Sequence, residues 1–532
     1  MLSAIYIQNF KGIGQREKLE DGKIPLRPIT IMFGKNSAGK STVVQALHYA
    51  REILHRQNLD ADRTLYGGKA VNLGGFRNFV HNRDLRNEII LGFDLNLEET
   101  DYPDYGFNPF EEEKTQDLNG RVQSARVTLT IKWSDYLNRP VLTKYETAIN
   151  HEKCAYIETS LDGKNISAYY NALHPLLITD LAGNVQKSIF SFSEENSDDN
   201  EEWMLLKAVN ITSSLPAWGK SIQYQNAIEI RNLRNAATHL AKDLDSFDEL
   251  EEKHTQFVEM INRAESPPIS ELTASQMLVA PGEILHDWLM TFRYLGPLRT
   301  VPPRNFEPST TIDESEWSDG LAAWSELYRR GAGWVEEVSN WLSSNRLKTG
   351  YLMKLLEYRE NFFDGNFANE FSNENISSRK RLSLFEEEAK LKVSPQDIGV
   401  GISQIVPVVV AALSFNEGLI AIEQPELHLH PAVQAELGDL FIKSSLDERT
   451  NIFLLETHSE HLILRILRRI REQSENELPE DFPEINPEDF QMLYVKSSEN
   501  GTIFFDISVT EEGDFAEKLP DGFFPERAKE LF

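Results

Sequence analysis

The segment Gly34-Lys35-Asn36-Ser37-Ala38-Gly39-Lys40-Ser41-Thr42 constrains this chain more than any other feature. It fits the spacing G-x-x-x-x-G-K-[ST]. A short apolar run, Ile29–Phe33, precedes it and reads as a strand. Val44, Leu47, Ala50, Ile53 and Leu54 follow at helical spacing over Ser41–Gln57. Strand, glycine-bearing loop and helix in that order are what phosphate capture requires. Glycine lets the backbone come close to an anion, successive N–H groups can point at it, and the helix start adds positive partial charge. Gly34, Asn36, Ser37, Ala38 and Gly39 then form the cradle, closed by Thr42. Lys40 supplies a mobile cation for the β- and γ-phosphates, and the Ser41 hydroxyl is placed to ligate Mg²⁺.

A second block lies almost four hundred residues later. Leu419–Ile422 reads as a buried strand, and Glu423-Gln424-Pro425-Glu426 follows directly. A carboxylate at the carboxyl end of a strand beside the phosphate loop is where Mg²⁺ is held, which assigns that role to Glu423; a helix-capping carboxylate in a surface turn also fits. Gln424 stands where a carboxylate would polarise the attacking water. A Gln can orient water but cannot take its proton, so turnover is expected to be slow or to use Glu426. Ile452–Leu455 reads as another buried strand, followed by Glu456-Thr457-His458-Ser459. His458 could hydrogen-bond the γ-phosphate or the lytic water, or be satisfied by backbone groups. His428 and His430 sit two apart, which on a helix points the rings in different directions and disfavours a dedicated metal site.

Ile398–Leu413 reads as a glycine-bearing turn, including Gly399–Gln404, that leads into an apolar helix. Gly401, Ser403 and Gln404 there form either a second anion-binding surface, shared across two subunits, or a plain helix cap with a glycine turn. Arg465, Arg468, Arg469 and Arg471 lie on the helix Ser459–Arg471, as a solvated face or as a contact for DNA or a partner; Arg299 and Arg304 are similarly open. Elsewhere Leu2–Ile7 and the runs from Val127 to Tyr170 alternate as strands do. Glu88–Leu97 reads as an exposed-edge strand, Ser191–Glu202 as a solvated acidic loop and Ala227–Ile261 as helical. Short strands at Met492–Val495 and Thr502–Ile507 and a helix-like Glu526–Phe532 complete the chain.

Composition sets outer limits. The net charge of −30 over 532 residues argues against a chain coated with nucleic acid, without excluding a local basic groove. The single cysteine, Cys154, removes any intrachain disulfide or cysteine metal site and suits a reducing cytosol. The start lacks the features of a signal peptide, and the longest apolar run, Ile405–Leu413, is too short for a membrane span. A cytoplasmic protein is expected.

These motifs resemble a known group. Ile7-Gln8-Asn9-Phe10-Lys11-Gly12-Ile13 followed by the phosphate loop is similar to the opening of RecF-, SMC- and OLD-type ABC ATPases. Ile422–Pro431 and Glu456–Ser459 resemble the magnesium-site strand and switch histidine of the OLD-like branch. Tyr294–Arg299 and Pro520-Asp521-Gly522-Phe523-Phe524 resemble AAA-type ATPases with a short tail domain. The resemblance implies an α/β fold: an ABC-type head with a P-loop NTPase mixed sheet, split by a β-plus-helical insertion, with a small C-terminal α+β tail. The divisions are 1–100 and 391–475 for the two halves of the head, 101–292 for the insertion, 293–390 for a mainly helical connection, and 476–532 for the tail. It further implies ATP and Mg²⁺ as cofactors. A homodimer or higher oligomer through the heads would set Lys40 opposite Ser403 and Gln404 of the other subunit. A regulatory role in bacterial anti-phage defence, controlling a separate nuclease or toxin, is the leading expectation. A DNA-repair clamp of RecF or SMC type and a nucleotide-locked scaffold are the alternatives. The Q-loop is expected near Leu73–Val80.

Overall fold

The computed structural model describes residues 1–98, 100–105, 118–171, 174–177, 203–206, 210–223, 269, 271–304, 306–308, 311–359, 378–447, 449–499 and 501–517. The acidic loop Ser191–Glu202, the helical reading of Ala227–Ile261, and Pro520–Phe524 with Glu526–Phe532 lie outside the described residues. The chain forms two compact units. One comprises residues 1–24, 49–61 and 75–290; the other comprises 25–48, 62–74 and 291–532.

The first unit is built on an eight-stranded sheet. Its strands are β1 (Leu2–Gln8), β2 (Lys23–Pro25), β4 (Ile89–Asn96), β5 (Ser124–Ser134), β6 (Arg139–Ile149), β7 (Glu152–Thr159), β8 (Ile166–Asn171) and β9 (Trp203–Leu206). They lie in the order β2-β1-β4-β5-β6-β7-β8-β9. Strict alternation, as in β5, buries Ala125, Val127, Leu129 and Ile131 on one face and leaves Arg126, Thr128 and Thr130 half-exposed. The strand expected at an exposed edge, β4, lies between β1 and β5 instead. Alternation reports which face is buried, whereas pairing along the edges is a long-range matter that it does not encode. Phe76 and Phe79, on the short helix Phe76–Phe79 within the stretch Leu73–Val80, are buried; Phe79 packs on Phe10 and Tyr49.

The second unit carries the phosphate loop. Strands β3 (Ile29–Phe33), β10 (Arg293–Leu295), β14 (Glu417–Glu423), β15 (Thr450–Glu456), β16 (Phe490–Ser498) and β17 (Gly501–Asp506) form a six-stranded sheet in the order β10-β14-β15-β3-β16-β17. All neighbours are parallel except β16 and β17, so the sheet is mixed. Its central strands are uninterrupted apolar runs, as expected of parallel strands covered on both faces. The helices Pro431–Leu446 and Glu460–Ser474 make the crossovers from β14 to β15 and from β15 to β16. The helix Val400–Ser414 is buried from Ser403 through Ser414, and its apolar residues join Trp317, Trp324 and Phe441 in one core. A further sheet of β11 (Tyr351–Arg359), β12 (Ser378–Glu386) and β13 (Lys392–Val393) lies in the stretch read as mainly helical, beside the helices Leu321–Arg330 and Ala332–Leu342. Within the stretch read as a small C-terminal α+β tail, β16 pairs along β3 from Phe490↔Ile29 to Tyr494↔Phe33 and extends the ATPase sheet.

Candidate functional site

Register alone assembles the centre of the site. Strands β14 and β15 pair in parallel to their last residues, so Glu423 and Glu456 stand side by side at the carboxyl edge. Glu456 is also level with Met32 of β3, one residue before the strand ends and two before the phosphate loop begins. Loop and acidic strand tips therefore meet at the edge where ligands of open α/β sheets bind. The helix Ser41–Arg56 starts at Ser41, as the sequence pattern requires.

In the loop, Gly34 (φ 144°) and Gly39 (φ 104°) adopt backbone angles that disfavour side chains, and a methyl group at either would collide, with Val495 O and Thr502 Oγ1 respectively. Ser37 is left-handed at φ 62°. Lys35, Asn36 and Ser37 are exposed, while Ala38 and Thr42 are buried. Lys40, only 3% exposed, donates through Nζ to Gly34 O (3.1 Å) and Lys35 O (3.1 Å) and pairs with Glu456 Oε1 at 3.5 Å. The ammonium thus lies over its own loop.

Ser41 Oγ donates to Glu456 Oε2 at 2.8 Å. Glu423 Oε1 accepts from Tyr294 Oη at 3.0 Å. Burial and the neighbouring Glu456 charge push the Glu423 carboxyl up to about 7, although Tyr294, Ser41 and Lys40 hold it down. Two carboxylates and a hydroxyl on one edge, with excess negative charge between them, fit Mg²⁺, which takes one or two protein carboxylates and completes its shell with phosphate and water oxygens. Glu456 is the residue the sequence reading left without a role of its own. Its signal was there, a carboxylate ending a buried strand, but only the register shows that it faces Ser41.

Glu426, the alternative to Gln424 for activating water, bridges two loops. Its carboxylate accepts from Thr457 Oγ1 (2.7 Å) and the His458 N–H (2.7 Å), which ties the loop after β14 to the loop after β15. His458 Nε2 is buried with no hydrogen-bond partner among the described residues. Burial and Lys40 lower the basicity of this imidazole. Gln424 has φ 46°, and its N–H donates to Glu456 O at 2.7 Å. Arg299 is buried beneath this loop. Its guanidinium donates to Glu423 O (2.7 Å) and Gln424 O (3.3 Å), and burial lowers it to about 10.

The residues at the start of the helix Val400–Ser414 do not join this cluster. Ser403 Oγ donates to Val400 O within its own turn. The buried Gln404 carboxamide clamps the Arg299 backbone, accepting from its N–H (3.0 Å) and donating to its C=O (2.7 Å). Gly401 backs onto the His428 carbonyl, where a methyl carbon would sit 2.8 Å away. Within the single chain these side chains bond to their own turn and to Arg299. His430 caps the next helix, its Nδ1 accepting from Ala432 N, and no group of three or more His, Cys, Asp or Glu suited to a metal occurs among the described residues. The arginine face is neutralised. Arg465 pairs with Glu436 and Asp439, Arg468 with Glu472, Arg469 with Asp439 and Glu472, and Arg471 with Asp514. Arg304 pairs with Asp397.

Two family models match the chain: one described as AAA ATPase domain over residues 333–463, the other as AAA domain over residues 4–266. Similar solved structures include the Smc head bound to the C-winged helix domain of ScpA (9% identity, 96% of this chain and 98% of that chain, TM-score 0.37). The Smc head with an extended coiled coil bound to the C-terminal domain of ScpA from Pyrococcus furiosus (12%, 100% and 98%, 0.36) and the SMC head domain from Thermotoga maritima (7%, 96% and 99%, 0.35) are two more. No curated protein matches. By sheet order and phosphate loop the chain has the P-loop NTPase fold. The two AAA matches, each over less than half of the chain, make it similar to ATPases of AAA type. No described helix is long and apolar enough to cross a membrane.

Proposed function

We propose that the second unit binds Mg²⁺·ATP and hydrolyses it, and that the nucleotide state of this site is the output the protein provides to other molecules. The observation that carries this is the meeting of Ser41, Glu423 and Glu456 on one sheet edge beside the glycine loop. In this reading the loop amides and Lys40 hold the phosphates. Ser41, Glu423 and Glu456 hold the metal, which would offset phosphate charge when bound. Gln424 orients water without accepting its proton, and His458 Nε2, which has no hydrogen-bond partner among the described residues, is a group that can meet the γ-phosphate.

Dimerisation through the heads, and control of a separate nuclease or toxin in anti-phage defence, complete the proposal; both rest on the family resemblance. The DNA-clamp alternative has the weaker footing at the helix Glu460–Ser474, because each arginine considered for DNA is already paired. Equilibrium binding of ATP-γ-S to the wild-type chain and to Lys40→Ala tests the core. Binding that weakens at least tenfold in the variant supports it; equal binding removes it. Phosphate release abolished by Glu423→Ala then separates an ATPase from a nucleotide-locked scaffold.

A further inference from the structure

We infer that Thr502, on the last strand of the sheet, is a positioning residue for the phosphate loop: its hydroxyl sets the direction in which the Gly39 amide points. The inference rests on the loop being the phosphate site, as proposed above.

The geometry is specific. Thr502 Oγ1 is buried and donates to Ala38 O at 2.9 Å, across 464 residues of sequence. Ala38 and Gly39 share one planar trans peptide, so the Ala38 C=O and the Gly39 N–H point in opposite directions. Anchoring the carbonyl on β17 therefore turns the Gly39 N–H to the side of the peptide away from β17. Gly39 is the second glycine of the loop motif, and its amide is one of those that must converge on an anion.

Two further contacts hold the loop to the same hairpin. The Gly39 Cα faces the Thr502 side chain so closely that a methyl group has no room. At the other end, Gly34 lies against the backbone of Val495 on β16. The hairpin is itself fixed, since β16 pairs in parallel with β3 up to Tyr494↔Phe33, and Thr502 pairs with Ser497 across the hairpin. The loop is thus supported at both glycines by a hairpin far away in sequence. Without the hydroxyl, the buried Ala38 carbonyl has lost its partner, and peptide orientations that turn this carbonyl elsewhere gain population. Each such orientation turns the Gly39 N–H off the anion, so the affinity falls with the fraction of competent loop.

The test compares Thr502→Val, which keeps the shape, Thr502→Ser, which keeps the hydroxyl, and Thr502→Ala, which keeps neither. All are read in the full chain by titration with Mg²⁺·ADP and with inorganic pyrophosphate, alongside thermal unfolding without ligand. The expected result is a loss of about tenfold for both ligands in Thr502→Val and Thr502→Ala, with Thr502→Ser close to wild type. Pyrophosphate must lose as much as ADP, because the defect lies at phosphate and not at the base. A general loss of packing would instead lower the unfolding midpoint and would not follow the hydroxyl. Equal affinities in all folded variants, or a Thr502→Ser loss as large as that of Thr502→Ala, overturn the inference. If Thr502→Val does not fold, the Ser-against-Ala comparison decides alone. Should the wild-type chain bind neither ligand, the phosphate reading of the loop falls first, and the two failures are told apart.

Discussion

Glu423→Gln should stabilise the ligand-free protein while removing its activity. Glu423 sits on a strand tip next to Glu456, and burial together with that charge moves its carboxyl from the ordinary 4.5 to about 7. At ~1.36 kcal/mol per tenfold change in proton affinity, holding the ionised form in the folded, metal-free site costs roughly 3 kcal/mol. A raised carboxyl binds more protons folded than unfolded. The stability it contributes is therefore complete below the unfolded value and is lost as pH rises through about 7. Glutamine keeps the shape, and its carbonyl can still accept from Tyr294, but it retains an amide desolvation cost, so a gain of about 1–2 kcal/mol is expected in alkaline buffer. The assay is thermal unfolding of both proteins with a chelator at about pH 5 and about pH 8, with steady-state phosphate release beside it. The variant should unfold several degrees higher at the upper pH, show little difference at the lower one, and release no phosphate. A Glu423→Gln protein less stable than wild type at pH 8, or one gaining equally at both pH values, refutes the like-charge argument. Unchanged hydrolysis refutes the metal-ligand role.

Three other outcomes follow from the structure. Gly34→Ala should abolish nucleotide binding in a titration and lower the unfolding midpoint, because the methyl group collides with the Val495 carbonyl on a paired strand that cannot retreat. Gln424→Glu should raise the hydrolysis rate on the order of 10²-fold if proton removal from water limits turnover; an unchanged rate would place the limit elsewhere. His174 is buried, donates through Nε2 to Ile149 O and is held down at about 4 by desolvation. The folded state therefore binds fewer protons, and roughly 3 kcal/mol of stability present above the ordinary value of 6.5 should be lost as pH falls towards about 4. A His174→Gln variant should show a flatter acid limb in chemical unfolding.

The parts of this protein that obey local rules were legible from the chain itself. The phosphate loop was read with its flanking strand and helix because glycine spacing, an apolar run and helical periodicity are all local quantities. The strands ending at Glu423 and Glu456 and the basic helix after Ser459 were legible for the same reason. What the sequence could not say is which elements lie side by side. That Phe490–Ser498 extends the sheet beside Ile29–Phe33, that Glu456 meets Ser41, and that Gln404 is engaged by the Arg299 backbone are all pairings across about a hundred residues or more. Such contacts depend on register and packing, which are settled only when the whole core closes. Local patterning thus determined the kinds of element and the chemistry they carry, while tertiary structure alone decided which residues share a site.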